Sequence, residues 1–261
     1  MINGKIVSAS ILDLHPETVE RFTDLGLGIE ISAFAHPKNL SEGTFPELLA
    51  SYKTMLKDFK HPISMHGAFY DLKMVARDPW IVDVAHRRII QSLEIASELG
   101  ISKVVFHANY VPVPDRKYQL LWMGAQIRFW QKIIPTAEKY GIQMLIENTR
   151  EPQAEFINEI LKHLDSPFCK TCLDTGHTNC FTKSGIPPRD WVKDYGNNLA
   201  YIHLHNNHGL RDEHLEFPNG TLDLEGFFPA LDELDEYPWI ILEVKTKDAF
   251  EKSYAAIQNV L

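Results

Sequence analysis

The segment Tyr201–His214 reads YIHLHNNHGLRDEH and decides how the rest of the chain is interpreted. It holds four histidines and Asp212 within fourteen positions. Its first half alternates apolar residues with histidines, which is typical of a β-strand, and Asn206–Asn207 with Gly209 indicates a loop after it. Imidazoles at the end of a strand, followed by an Asp-x-His sequence, predict a place where side chains converge on a divalent metal ion.

Composition indicates one ordinary globular domain. The chain has 261 residues, 44% of them hydrophobic and 23% charged, and a barrel of about 250 residues is a normal single domain. A formal net charge of −9 disfavours nucleic acid and anionic membranes as partners, without excluding nucleic acid. No apolar run approaches the ~18–20 residues of a membrane span, and the start of the chain lacks a signal-peptide profile, so we expect a cytoplasmic protein. Its three cysteines are expected to be reduced and mostly buried.

Short apolar segments alternate with amphipathic ones along the whole chain. Several of the short segments are continuous apolar runs, as expected for parallel strands that are buried on both faces. Gly26, Gly100 and Gly141 each precede a return to apolar sequence and are predicted to end helices in the left-handed conformation. The predicted strands are Lys5–Ile11, Gly28–Ser32, Ile63–His66, Lys103–His107, Gln143–Glu147, Lys170–Asp174, Ala200–His205 and Trp239–Val244.

Eight strands, each followed by a helix, predict a single-domain (β/α)8 TIM barrel over residues 1–261. A doubly wound open sheet requires the same alternation and is the structural alternative. The count of eight favours the barrel, and so do the polar residues at the carboxyl ends of the strands, where barrels place their active sites.

Six of the eight predicted strands end in a side chain that can bind a metal. Taken singly, each is as well explained by a helix cap or a hydrogen-bonded histidine. Together, however, a barrel brings them to one rim, where uncompensated carboxylates would repel each other and lose solvation. Mixed imidazole and carboxylate ligands favour a divalent transition metal, zinc or manganese, and their number suits one to three ions. The predicted ligands are His66, His107, Glu147, Asp174, His177, His205, Asp212, His214 and Glu243.

Other polar residues have weaker patterns. His203 shares its strand face with His205 and is predicted to lie one layer deeper, as a support or core residue. Glu30 ends the second strand, and the sequence leaves open whether it contacts substrate, supports the site or lies at the rim. His208 is predicted to be solvated, and His36 is expected at the surface.

These strand ends resemble those of the xylose-isomerase-like barrels, a superfamily of sugar and sugar-phosphate isomerases and epimerases that also includes endonuclease IV. The resemblance implies that Glu147, Asp174, His205 and Glu243 match the four metal ligands of the epimerases. It implies that the other five candidates match the additional ligands of the three-zinc centre of endonuclease IV. The motifs that carry it are Met65–Leu72, Phe106–His107, Glu147–Thr149, Leu173–His177, His203–Asn207, Arg211–His214 and Leu242–Glu243.

The resemblance implies two functions. The first is a metal-dependent sugar or sugar-phosphate isomerase or epimerase, in which Glu147 and Glu243 exchange a proton with the carbon beside a polarised carbonyl. The alternative is a metal-dependent phosphodiesterase acting at abasic sites in DNA. The ligand count favours the nuclease, whereas short loops of mixed charge favour the isomerase, because a duplex requires several basic contacts.

Three further residues are predicted to bind the substrate. Arg211 and Lys245 are candidates for holding an anionic or hydroxylated group, although pairing with rim carboxylates explains both equally well. Phe69 could stack on a sugar face or fill the core, and the same two interpretations apply to Trp191. The sequence is compatible with a homo-oligomer and does not identify one.

Overall fold

The computed structural model describes residues 1–113, 115–182 and 185–261. Its parallel strands form one closed barrel in which each strand pairs with its neighbour in sequence and the eighth pairs with the first. The predicted (β/α)8 barrel is therefore confirmed. The strands are β1 (Val7–Ile11), β2 (Gly28–Ile31), β3 (Ile63–His66), β4 (Lys103–His107), β5 (Gln143–Glu147), β6 (Cys169–Asp174), β7 (Leu199–Leu204) and β8 (Trp239–Leu242).

Helices connect the strands. Gly26, Gly100 and Gly141 adopt φ angles of 67°, 68° and 65°, so each glycine supplies the left-handed turn that ends a helix. None of the helices in the described ranges is both long and apolar enough to cross a membrane. The α-helices are α1 (Pro16–Leu25), α2 (Phe45–Leu56), α3 (Pro79–Glu98), α4 (Arg116–Tyr140), α5 (Glu155–Leu164), α6 (Thr175–Cys180), α7 (Pro188–Tyr195), α8 (Phe227–Asp232) and α9 (Lys247–Val260).

The strands that carry the last ligands end slightly earlier than predicted. The final parallel pair between β7 and β8 joins Leu204 to Leu242. His205 and Glu243 therefore lie just beyond the sheet, where the two chains leave it at the rim. The amide of Glu243 still donates to the carbonyl oxygen of Leu204, at 3.3 Å, so the ladder continues far enough to orient both residues.

The barrel interior changes from apolar to polar along its axis. One inner layer is filled by fully buried side chains, namely Val105, Leu145, Cys172, Tyr201 and Ile241. The Tyr201 hydroxyl then links this layer to the next one. It donates to Glu30 Oε2 at 2.8 Å and lies 2.6 Å from Ser64 Oγ. Polar groups at this depth must satisfy one another, because water does not reach them.

We predict that Tyr201→Phe destabilises the protein by about 1–3 kcal/mol, because it removes a donor from the buried Glu30 carboxylate. Urea denaturation measures the difference in the free energy of unfolding. Tyr254→Phe is the matched control, because within the described residues the Tyr254 hydroxyl has no hydrogen-bond partner and its ring stacks on Phe250. Equal stability of the two variants would contradict the prediction.

Candidate metal centre

A cavity of about 1280 Å³ opens at the carboxyl end of the barrel. This is the rim where parallel barrels place their functional groups, and every strand contributes to the wall through the segment that follows it. Representative lining residues, one for each strand from β1 to β8, are Leu12, Ser32, Phe69, Asn109, Thr149, His177, Asp212 and Glu243.

All nine predicted ligand side chains converge at the floor of this cavity. They form overlapping groups in which one ligand atom from each residue lies within 4.8 Å of the others. Glu147 belongs to three groups, and Asp174 and His205 belong to two each, so the groups form one continuous cluster rather than separate sites. Four groups consist of predicted ligands, namely His66–His107–Glu147, Glu147–Asp174–His177, Asp174–His205–Glu243 and His205–Asp212–His214, and a fifth joins Glu147 to Cys172 and His203.

Glu147 is the centre of one side of the cluster. Its Oε2 lies 3.3 Å from His66 Nε2 and 3.2 Å from His107 Nε2. Its Oε1 lies 3.2 Å from His177 Nδ1. β3, β4 and β5 follow one another in the barrel, so His66 at the end of β3 and His107 at the end of β4 both lie beside this carboxylate.

The other side of the cluster is built around two aspartates. Asp174 Oδ2 lies 3.0 Å from His205 Nε2, and Asp212 Oδ2 lies 2.7 Å from His214 Nε2. His177 Nε2 reaches the same Asp212 oxygen at 3.6 Å, which connects the two sides.

Local sequence explains how Asp174 and His177 come together. Asp174 caps α6 by accepting a hydrogen bond from the amide of His177 at 2.7 Å, so the helix turns His177 toward the end of its own strand. Gly176 lies between them against the His205 ring, and any Cβ at this position would meet the imidazole atoms. The helix cap therefore accounts for Asp174, and packing against His205 accounts for Gly176.

His214 is held in a strained conformation. Its φ angle is 52°, in the left-handed region that residues with side chains rarely adopt. Its ring stacks on His205 at a centroid distance of 4.2 Å, and its Nδ1 donates to the carbonyl oxygen of Glu243 at 3.0 Å. Neighbouring contacts therefore stabilise a backbone geometry that aims the imidazole at the cluster.

Three histidines show the hydrogen bonding of metal ligands. The Nδ1 atoms of His66, His177 and His214 donate to backbone carbonyl oxygens at 2.9–3.0 Å. Each of these bonds directs Nε2 toward a carboxylate of the cluster. Fixing one ring nitrogen so that the other can bind a metal is the usual arrangement around bound ions.

The cluster also contains buried polar atoms that are unsatisfied within the described residues. Carboxylate and imidazole atoms face each other at 3–4 Å without hydrogen-bond geometry, as His66 and His107 do around Glu147. Buried polar atoms without partners are costly, and a shared cation would compensate these. The residues therefore fit a divalent transition metal. The unsatisfied atoms are Glu147 Oε2, His203 Nδ1, His205 Nδ1, Asp212 Oδ1 and Glu243 Oε2.

The two glutamates of the cluster have different acidities. Burial opposes ionisation of Glu147, but His107 and His203 outweigh burial and hold the pKa of its carboxyl well below the ordinary value. Burial raises the pKa of Glu243 above the ordinary value, and the nearby His203 and His214 only partly oppose it. The environments of the two carboxyls thus shift their pKa values in opposite directions, so that Glu243 holds a proton more readily than Glu147.

Two histidines of the cluster, His177 and His214, have raised pKa values because carboxylates surround them. Burial disfavours the charged form of His214, yet Glu243 and Asp212 raise its pKa to about 9. Burial has the same effect on His177, where Asp174 and Asp212 raise the pKa well above the ordinary value. A metal that binds this cluster must displace these protons.

A supporting layer lies beneath the cluster. His203 is fully buried and donates from Nε2 to Glu30 Oε2 at 2.9 Å. Its Nδ1 lies 3.4 Å from Glu243 Oε2 and 3.6 Å from Glu147 Oε2. His203 thus lies one layer deeper than His205. Glu30 neither lies at the rim nor reaches the cavity wall, because it is fully buried and supports His203. Cys172 belongs to the same deep region, and all three cysteines are free, with Cys180 only half-buried.

The structure separates the three predicted substrate-binding residues. The Arg211 side chain is 82% exposed, lies outside the cavity wall and has its Nε 3.7 Å from Glu213 Oε1. Lys245 lines the cavity, and its Nζ donates to the carbonyl oxygen of Asp212 at 3.0 Å. Phe69 lines the cavity and stacks on His107 at 4.2 Å. Trp191 is fully buried and fills the core. The substrate-binding roles of the first three residues stay predictions.

Two cavity residues were not identified from the sequence. His36, expected at the surface, is half-buried in the cavity wall. Its ring centroid lies 4.7 Å from that of Tyr70, with the two rings tilted. Arg150 lines the cavity with its guanidinium 4.9 Å from the ring centroid of Phe181. The only sequence signal for Arg150 is its position three residues after Glu147, in the loop that follows β5.

A comparison of the chain with known families agrees with the barrel fold. The model of the family described as xylose isomerase-like TIM barrel matches residues 24–260, and the chain belongs to this family.

Two relatives match much of the chain at low sequence identity. The uncharacterized proteins MJ1311 and MJ1614 of Methanocaldococcus jannaschii are 27% and 24% identical over 194 and 241 residues. These alignments cover 71% and 89% of this chain, but 64% and 88% of the relatives, so the chain matches just under two thirds of MJ1311.

Solved structures show the same fold. The TTHB071 protein from Thermus thermophilus, soaked with ZnCl2, is 25% identical with a TM-score of 0.82, over 97% of both chains. A D-tagatose 3-epimerase-like protein has the same TM-score at 22% identity, covering 98% of this chain and 96% of its own. A D-allulose 3-epimerase from Methylomonas sp., in complex with D-allulose, has a TM-score of 0.77 at 16% identity, covering 98% and 97%.

We predict that zinc affinity rises as the pH increases from neutrality toward 9. The pKa of His214 is raised to about 9, so the proton that competes with the metal is lost over this interval. The affinity should change by about tenfold per pH unit for each proton displaced. Competition with a coloured chelator across this range measures it.

His214→Gln should make this pH profile shallower, because it removes one of the titrating ligands. His208→Gln is the matched control, since His208 is exposed and pairs with Glu213 outside the cavity. A zinc affinity that does not depend on pH in the wild-type protein would contradict the prediction.

Proposed function

We propose that this protein is a metal-dependent isomerase or epimerase of sugars or sugar phosphates. The observation that carries the proposal is the pair Glu147 and Glu243, which approach the same buried atom, His203 Nδ1, at 3.6 and 3.4 Å from well-separated strands. Glu147 ends β5, and Glu243 follows β8. The two carboxyls therefore face the cavity floor from different sides of the barrel.

A divalent transition metal, zinc or manganese, fits this floor. When bound, such a metal polarises adjacent carbonyl and hydroxyl oxygens of a substrate and makes the neighbouring C–H bond more acidic. The residues that would hold it are Glu147, Asp174, His205 and Glu243, with His66, His107, His177, Asp212 and His214 available for further ions.

The pKa values of the two glutamates are shifted in opposite directions. Glu147, whose pKa lies well below the ordinary value, is a carboxylate that can accept the proton of the carbon beside the carbonyl. Glu243, whose pKa is raised by burial, takes up a proton more readily than Glu147 and can return one to the opposite face of that carbon. The substrate then leaves with inverted configuration, and the protons of the two carboxyls equilibrate before the next turnover.

The cavity and the relatives support a small hydroxylated substrate. A volume of about 1280 Å³ holds a monosaccharide together with ordered water. Phe69 and Tyr70 stack against each other in the cavity wall at 4.2 Å and provide apolar surface for the C–H groups of a sugar. The likeness to solved sugar epimerases adds to this proposal at the level of the fold.

A metal-dependent phosphodiesterase acting at abasic sites is the second candidate. The observation that favours it is the group His205–Asp212–His214, together with His177, which goes beyond the four ligands that proton exchange requires. Clustered cations are well suited to phosphodiester hydrolysis. The rim weakens this candidate, because Arg211 lies beside Glu213 and Lys252 pairs with Glu216, whereas a duplex needs several free basic contacts.

We predict that Glu147→Gln or Glu243→Gln lowers turnover of the sugar substrate by about 10²–10⁴-fold, because each variant removes one proton-exchanging carboxyl. A panel of ketoses and their phosphates, assayed at saturating metal with elemental analysis of each variant, measures the effect. Glu213→Gln is the matched control, since Glu213 lies outside the cavity wall. Full activity of either cavity variant at normal metal content would remove that residue from the mechanism.

For DNA we expect no metal-dependent cleavage of an abasic-site duplex above background. The net charge of −9 disfavours binding of a duplex, and the rim cations Arg211 and Lys252 lie beside carboxylates. A gel assay with and without added zinc or manganese measures cleavage. Multiple-turnover cleavage that Glu147→Gln abolishes would replace the isomerase with the nuclease.

A further inference from the structure

The cavity wall carries basic side chains of two kinds. Arg21 pairs with Glu251, and Lys245 donates to the carbonyl oxygen of Asp212. Three other cations in the wall have no carboxylate within 4.0 Å among the residues that the structure describes. These are Lys73, Arg150 and Lys247.

Arg150 is an exposed residue and differs from the two lysines in that its guanidinium lies over an aromatic ring. Its guanidinium carbon lies 4.9 Å from the centroid of Phe181, within the range of a cation–π contact. Phe181 lines the cavity and packs 5.0 Å from the ring of His177, which belongs to the metal cluster. The Phe181 ring therefore contacts both the Arg150 guanidinium and a residue of the cluster.

The loop that carries Arg150 is closely connected to the cluster. It follows Glu147 by three residues, and the intervening Asn148 and Thr149 are buried. The Asn148 side chain is anchored by bonds of 3.1 and 2.8 Å to the backbone of Asp174, and the Thr149 amide donates to Glu151 at 2.6 Å. The loop that carries Arg150 is thus tied to the ligand-bearing strands.

A guanidinium that lies over a ring and has no carboxylate partner within the described residues is suited to a planar or tetrahedral anion. Arginine binds phosphate through two parallel hydrogen bonds, whereas lysine acts as a mobile point charge. One such group in an otherwise acidic protein matches one phosphate, not the repeated phosphates of a nucleic acid.

We infer that Arg150 binds a phosphate group of the substrate, so that the physiological substrate is a phosphorylated sugar rather than a free one. The inference rests on the proposed isomerase or epimerase function. It transfers the anion-binding role from Arg211, which is exposed outside the cavity, to a residue that the fold brings to the cavity wall.

The test is calorimetric binding of inorganic phosphate, and of fructose 6-phosphate against fructose, to the metal-loaded protein. We expect the wild type to prefer the phosphorylated sugar. Arg150→Gln should weaken binding of both phosphate ligands by about 10- to 100-fold, the effect of losing a charged hydrogen-bonding partner, and leave fructose unchanged. Arg150→Lys should recover part of the loss, because it restores the charge without the planar fork.

Arg87→Gln is the matched control, with the same change of charge at a side chain of α3 that is 78% exposed and lies outside the cavity wall, and it should bind all three ligands like the wild type. Three results overturn the inference: equal phosphate affinity in Arg150→Gln and wild type, no wild-type preference for the phosphorylated sugar, or loss of bound metal from Arg150→Gln. None of these results affects the proposed proton exchange, whose failure would appear instead as full turnover by the Glu147 and Glu243 variants.

Discussion

The mutual compensation of buried carboxylates and imidazoles at one rim of the barrel is the constraint on which the rest of the structure depends. Glu147 and Asp174 are almost completely inaccessible to water, and His205 is fully buried between strands. Such groups are stable only when opposite charges or a cation neutralise them. The α6 cap, the strained His214 backbone and the close approach of Gly176 to His205 all serve to hold these side chains together.

The layers of the barrel interior explain how the cluster stays rigid. Apolar side chains fill the lower layer, and the hydrogen-bonded set Ser64, Tyr201, Glu30 and His203 forms the next one. Because Glu30 accepts hydrogen bonds from both Tyr201 and His203, the middle layer links the packing of the core to the carboxylates above. A site mounted on strands and supported in this way keeps its geometry better than one carried by loops alone.

Much of the site could be predicted because it depends on regular structure. A residue at the carboxyl end of a parallel strand has a known position in a barrel, so eight such segments place His66, Glu147 and Asp174 at one rim. The depth of His203 also followed from alternation along its strand. Arg150 and His36 lie in irregular segments, whose course depends on what packs against them, and no periodicity reports that. The exposed position of Arg211 has the same cause, since it lies in a loop.

The sequence by itself determined the eight strand–helix units, the barrel and the set of candidate metal-binding side chains. These follow from hydrophobic periodicity and from residue types at strand ends, both of which are local properties. Only the tertiary structure decided how these candidates group, that Glu30 supports His203, and which basic side chains line the cavity. Those outcomes depend on distances between segments far apart in the chain, as do the pKa of Glu147, which His107 and His203 lower, and the pKa of Glu243, which burial raises.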